Sequence, residues 1–388
     1  MTSYNVTRGG KKGGMTLQEL AAEVTRRQKE KRDFYAPANK LQIATQLPDG
    51  DGVRRQALHI EGIDAGPFTL DHLALRQIGT HLDVPAKFAD RLREKEPDLH
   101  DNLFNELLRR NRVKNDIPVR LVRTLDGRAR AFLSDSYQIR DNFDLLEGIL
   151  PALGELPFGS EIFSTSITDR KLYLEVTFPG LELDIQDFVD PSVHRRPNRG
   201  EPDILRSGFA LSNSEVGLGR IEVKPFLERL ICINGVVVSE ALFRSAHVGR
   251  KTSRDDVEIW EVLSDEAKKA DDGAFMLKVR DVVMSMAEKT KFETVVRRMA
   301  EASGEKIEKP ADKAVEELAN QFTLTEGESG GILNHLIEGG ELTRYGLMNA
   351  VTRAAQDVGD YDRAMELEAL GGKIINLPRS SWQAVAAK

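Results

Sequence analysis

Arginine is the residue type whose spacing in this chain most invites chemistry. In the stretch VRLVRTLDGRARAFLSDSYQIRDNFDLL, residues 119–146, Arg123, Arg128 and Arg130 flank Asp126-Gly127. Such a pair closes two-residue β-turns because both residues tolerate a left-handed backbone. With that turn, Leu125 pairs with Arg128 and Arg123 stands opposite Arg130. Like charges directly across a strand pair repel, so a hairpin gathering three guanidinium groups on one sheet face calls for an anion, and phosphate is the natural one. The bland reading sets the same arginines over neighbouring carboxylates on a solvated face. Phe132 on the hairpin and Tyr137 after it are the aromatic rings placed to stack on a base. Two further basic stretches add Arg109, Arg110, Arg112 and Lys114 from RRNRVK, and Arg195, Arg196 and Arg199 from HRRPNRG. Together these residues predict a nucleic-acid footprint with little sequence preference.

Catalytic constellations are scarce. HVGRKT at 247–252 lacks the first glycine of a phosphate loop, and Arg250 separates Gly249 from Lys251, so it falls short of the Walker pattern. Cys232 lies in the apolar stretch LICING, which reads as a core strand rather than a nucleophile site. Asp135, Asp141 and Asp144 cluster in SDSYQIRDNFD, with Glu222 and Lys224 as distant candidates to join them. A metal-dependent nuclease would need such carboxylates to converge, whereas their neighbours fit turn and helix-capping duties. Asn213, Ser214, Glu215 and His247 are the remaining set that could form a hidden active site, if the fold brings them together.

The same segments carry a family resemblance. LVRTLDGRARAFLSDSYQIRDNFDLLEGILPAL, with the lead-in at 71–108, the run NSEVG, RLICINGVV and HVG within 207–249, and the tail LTRYGLMNAVTRAAQDVGDYDRAMELEALGGKIINL, resembles a phage and plasmid family known as domain of unknown function nine-three-two. The resemblance covers residues 65 to 380 and implies mobile-element origin. It implies no chemistry.

Composition sets the outer bounds. The chain has 388 residues, 40% hydrophobic and 30% charged, enough to bury a substantial core. No apolar run reaches transmembrane length, and MTSYNVTRGGKKGGMT has no hydrophobic signal region, so a cytoplasmic protein is expected, and the family resemblance implies that the cell is a bacterial host. One cysteine excludes an internal disulfide and a multi-cysteine zinc site. The net charge of −7 is unevenly spread: residues 1–254 hold 38 Lys/Arg against 36 Asp/Glu, and 255–388 hold 17 against 26. The acidic excess therefore sits in the C-terminal third.

The elements that must position these residues follow from periodicity. Residues 1–34 read as a flexible basic arm and a short helix with Thr16 and Glu19 as a capping box. Residues 35–115 read as a helical lead-in lobe, with a short strand at 55–60, helical spacing of Leu73, Ile78, Leu82, Phe88 and Leu92, and Pro85 starting a second helix. Residues 116–254 read as a mostly antiparallel sheet interrupted by a helix at 142–153, with hairpins at 161–178 and 207–226. Residues 255–388 read as an acidic helical lobe, with helices at 256–303, 311–321, 328–338 and 343–369. The fold class expected is α+β. A sheet with a basic hairpin followed by a helix is similar in outline to the core of ring-forming single-strand annealing proteins, by fold analogy alone. The expected function is binding of single-stranded DNA in replication or recombination, without cofactor, in a homo-oligomer. The alternative is a counter-defence or interaction protein that binds a host protein through its acidic helices.

Overall fold

The computed structural model describes residues 13–48, 50, 52, 54–112, 116–189, 202–231, 234–238, 243–245, 265–286 and 288–387. It is an α+β protein with two sheets. The chain opens with helix α1 (Leu17–Glu30), whose capping box is formed: Thr16 accepts from the Glu19 amide while Glu19 accepts from the Thr16 amide. Strands β1 (Arg32–Pro37), β2 (Leu41–Thr45), β3 (Gln56–Ile60) and β4 (Phe68–Leu70) follow. Three helices come next, α2 (His72–His81), α3 (Ala86–Lys95) and α4 (Pro97–Arg110), then the hairpin β5 (Val119–Leu125) and β6 (Arg128–Ser134). These strands make the first sheet, in the order β1-β5-β6-β4-β3-β2. All pairs are antiparallel except β4 with β6.

One expectation is corrected here. The hairpin at 119–134 does not belong to a central sheet with 161–238. It pairs with strands from 32–70, so the end of the segment read as an arm and the start of the one read as a helical lead-in, where a strand was expected only at 55–60, supply four of the six strands of the first sheet. Those strands are short and interrupted by turns, which hides their period of two. One face of the sheet packs on the helices: Ile43, Leu58, Ile60 and Val122 meet Ile78, Phe104 and Leu108. Phe88, expected on that apolar stripe, is instead exposed.

The β2 edge is covered by α4. Asn105 accepts from the Ile43 amide at 2.7 Å and donates to the Ile43 carbonyl at 2.8 Å. One turn earlier, Asp101 accepts from the Thr45 amide and from Gln56 Nε2. Side chains four residues apart share a helix face, so α4 finishes the ladder that a free edge would leave open.

Helix α5 (Asn142–Leu153) leads to the second sheet, built from β7 (Glu161–Ile167), β8 (Leu172–Asp184), β9 (Ile204–Asn213), β10 (Ile221–Arg229) and β11 (Asn234–Val237), with β12 (Phe243–Ser245) also on β10. Leu172, Leu174, Val176 and Phe178 lie on one face, as the alternation predicts, in a core with Leu20 and Val24 of α1 and Leu145 and Ile149 of α5. The remaining helices are α6 (Asp265–Met286), α7 (Lys289–Gly304), α8 (Ala311–Phe322), α9 (Glu326–Gly339), α10 (Arg344–Ala355), α11 (Tyr361–Ile375) and α12 (Arg379–Ala386). The single helix expected over 343–369 is thus broken between α10 and α11. Tyr361 and Met365 of α11 cover the second face of the sheet, over Phe163, Tyr173 and Phe226. None of the described helices is long and apolar enough to cross a membrane.

Candidate nucleic-acid interface

The Asp126-Gly127 turn forms as the sequence predicts. Both residues take a left-handed backbone, with φ of 52° and 73°, and Leu125 pairs with Arg128. The next step differs. Arg123 pairs with Ala131 and Thr124 with Ala129, so Arg130 is the extra residue of a β-bulge and does not face Arg123.

The partners of these two arginines correct the phosphate-binding expectation for both. Arg123 is wholly buried: β1 sets Asp33 directly opposite it, and its guanidinium donates to Asp33 at 2.9 and 3.1 Å, to Asp141 at 2.6 Å and to the Glu215 carbonyl at 3.0 Å. Burial works against its charge, but Asp141 and Asp33 outweigh that and hold it protonated. Arg130, 7% exposed, donates to Glu215 at 2.8 Å. Lys31 pairs with Asp141 from the other side. Three cations and three carboxylates thus close a neutral network, and neither arginine is presented to a ligand.

The aromatic candidates are likewise occupied. Phe132 is buried against His81, with ring centroids 5.6 Å apart. Tyr137 donates to the Ser214 carbonyl at 3.0 Å, and burial drives its phenol well above the usual range. Neither is a stacking platform.

Arg128 is different. Its side chain is 47% exposed, held by Asp71 at 2.8 Å and Asp169 at 3.4 Å. It stands on the rim of an open groove of about 1110 Å³ between β2–β4 and the facing ends of α3 and α4. Arg54, Arg55, Arg93 and Lys95 line the same groove with His72, against the carboxylates Asp71 and Glu94. Arg54, Arg93 and Lys95 have no ion-pair partner among the described residues. Sequence reasoning missed these cations because acidic and apolar residues intersperse them, in VRRQ and DRLREK, and only the fold brings the segments together.

The RRNRVK cations lie elsewhere. Arg109 and Arg110 are exposed at the C-terminal end of α4, both on Glu106, and exposed Arg112 donates to the carbonyls of Arg109 and Asn111. Pro97 of the groove is at the other end of that 14-residue helix, roughly 20 Å away at 1.5 Å per residue. They therefore do not share a groove with Arg123, Arg128 and Arg130. Lys114, Arg195, Arg196 and Arg199 lie outside the described residues, as do Cys232, His247 and Lys251.

The acidic candidates divide in the same way. Asp141 is inside the network, while Asp135 and Asp144 are exposed. Lys224 is paired with Glu222 at 2.5 Å. Among the described residues no three His, Cys, Asp or Glu side chains are placed to hold a metal ion. Asn213 and Glu215 converge on the start of α5, whereas the Ser214 hydroxyl is directed to the turn between β7 and β8. Glu215 accepts from the Asn142 amide at 2.7 Å, Asn213 donates to the Arg140 carbonyl at 3.1 Å, and Ser214 donates to the Arg170 carbonyl at 2.9 Å. Glu215 also joins the two sheets, through Arg130 and Arg123. Comparison of the chain with family models, with curated proteins and with solved structures gives no match.

Proposed function

We propose that the groove beside Arg128 binds the phosphates of a single-stranded nucleic acid. The observation that carries this reading is the convergence of Arg54, Arg93 and Lys95, none of them ion-paired among the described residues, on one open groove whose rim holds Arg128. Unpaired cations on shared walls raise the local potential and draw in anions. At about 1110 Å³ and open to solvent, the groove exceeds the enclosed pockets of roughly 300–1,000 Å³ that hold small ligands. An extended chain of phosphates suits it better.

Among the described residues no Phe, Tyr or Trp lines the groove, where His72 is the one aromatic ring, so affinity comes chiefly from phosphate contacts and not from stacking. That fits a sequence-tolerant role in replication or recombination of a mobile element. The net charge of −7 does not oppose it, because charges beyond about 8 Å are largely screened at physiological salt. Titration of a labelled oligothymidylate at two salt concentrations tests the reading. Affinity is expected to fall steeply with salt and to drop about tenfold or more in the Arg54→Ala, Arg93→Ala double variant, with folding unchanged. Absence of binding at low salt removes the proposal.

A further inference from the structure

Arg128 reaches Asp169 with Nη2 3.4 Å from the carboxylate, and Asp169 sits in the turn between β7 and β8 of the second sheet. Arg170 and Lys171 follow directly. That turn is fixed from within: Thr168 Oγ1 accepts from the amides of Arg170 and Lys171 at 3.0 Å each, and the Thr168 amide donates to the Lys171 carbonyl at 2.9 Å. It is also fixed to the β9–β10 loop, where Ser214 Oγ donates to the Arg170 carbonyl and accepts from the Leu218 amide at 3.1 Å. The loop then carries Gly219 so close to Lys171 that a Cβ there would be 3.2 Å from Lys171 Cε, and Arg220 comes next. Arg170 and Arg220 are exposed and have no ion-pair partner among the described residues.

We infer that the nucleic-acid interface spans both sheets, running from the groove over the Arg128–Asp169 pair to a second basic station made by Arg170, Lys171 and Arg220. This rests on the reading of the groove proposed above. The occupant is one single strand long enough to touch both stations. Asp169 is the charge it must pass, since this carboxylate neutralises Arg128 and faces the path of the phosphates. Strands too short to bridge the stations feel the groove alone.

The test uses the full chain, with a four-nucleotide and a twenty-nucleotide oligothymidylate across a salt series. For a single strand the log–log slope changes by about 0.7 per phosphate neutralised. Replacing Arg170→Ala and Arg220→Ala together is therefore expected to lower the slope for the long strand by about 1.4, and to leave the short strand unaffected. Arg170→Lys with Arg220→Lys restores the slope, and Asp169→Asn tightens the long strand. An unchanged slope in the double alanine variant, with the groove still binding, overturns the second station and spares the first. Binding of neither strand by the native protein overturns the groove reading itself. Equal competition by polyglutamate of matched charge overturns the assignment of a nucleic acid and points to an acidic protein.

Discussion

A guanidinium wholly out of water, as at Arg123, is committed to the groups around it. Removing one partner of a buried ion pair leaves the others uncompensated and costs about 3–5 kcal/mol. Arg123→Ala is therefore expected to lower stability by that amount, read as a shift in the urea midpoint. Acid sensitivity follows from the same contacts. Burial would raise the Asp141 carboxyl, but Arg123 and Lys31 prevail and hold it below its ordinary value. Its contribution is full above the unfolded value of about 3.9 and is lost as pH falls through the lower folded one. Arg123→Ala should move acid unfolding to higher pH. His81 shifts in the same direction for a different cause. Burial and then the neighbouring Arg120 guanidinium, 2.7 Å from Nδ1, push its imidazole down to about 4. Stability from the neutral ring is full above about 6.5 and declines as pH falls toward 4. An NMR titration should give a His81 midpoint near 4, rising in Arg120→Gln; a midpoint left at the ordinary value would show that the ring is not shielded.

At the scale of elements, what the sequence revealed depends on how far apart the partners lie. The Thr16–Glu19 box, the Asp126-Gly127 turn, the helix after Pro85 and the face shared by Leu172, Leu174, Val176 and Phe178 are local, and each formed as its spacing predicts. The fate of Arg123 was hidden, because Asp33 lies 90 residues away in sequence and reaches it only through the β1–β5 pairing. The bulge at Arg130 was hidden too, since a register read from the turn assumes a regular ladder. The groove residues come from five separate segments and carry no joint pattern. The support of β2 by α4 is equally non-local, and it has a measurable cost. Asn105→Ala leaves the amide and carbonyl of buried Ile43 without partners, for an expected loss of about 1–3 kcal/mol. Urea unfolding checks it, and a loss well under 1 kcal/mol would mean that water or another side chain completes the edge.

Across the whole molecule, the first sheet and the second are joined by a loop that the sequence offered as a possible active site. Glu215 is its centre: the loop after β9 of the second sheet sends its carboxylate to Arg130 of the first and to the first amide of α5, and its carbonyl to Arg123. The apolar cluster at this seam is small, with Val216 set against Leu121, Ala131 and Leu133 and with Leu73, Tyr137 and Ile139 packed on it. The coupling between the two cores therefore rests heavily on ionic and hydrogen-bonded groups, whose removal leaves buried charge behind. Glu215→Ala is expected to cost about 3–5 kcal/mol, and Glu215→Gln less, because the amide oxygen can still accept from Asn142. Cooperativity should change along with stability. In the native protein, amides of β5 and β8 should exchange with a common free-energy limit, as members of one unfolding unit. In Glu215→Ala the β5 amides should exchange first, since the first sheet loses its tie while its neighbour keeps the larger core. Hydrogen exchange resolved by element distinguishes the two patterns, and a common limit that survives the substitution would place the coupling in the apolar contacts of Val216 instead.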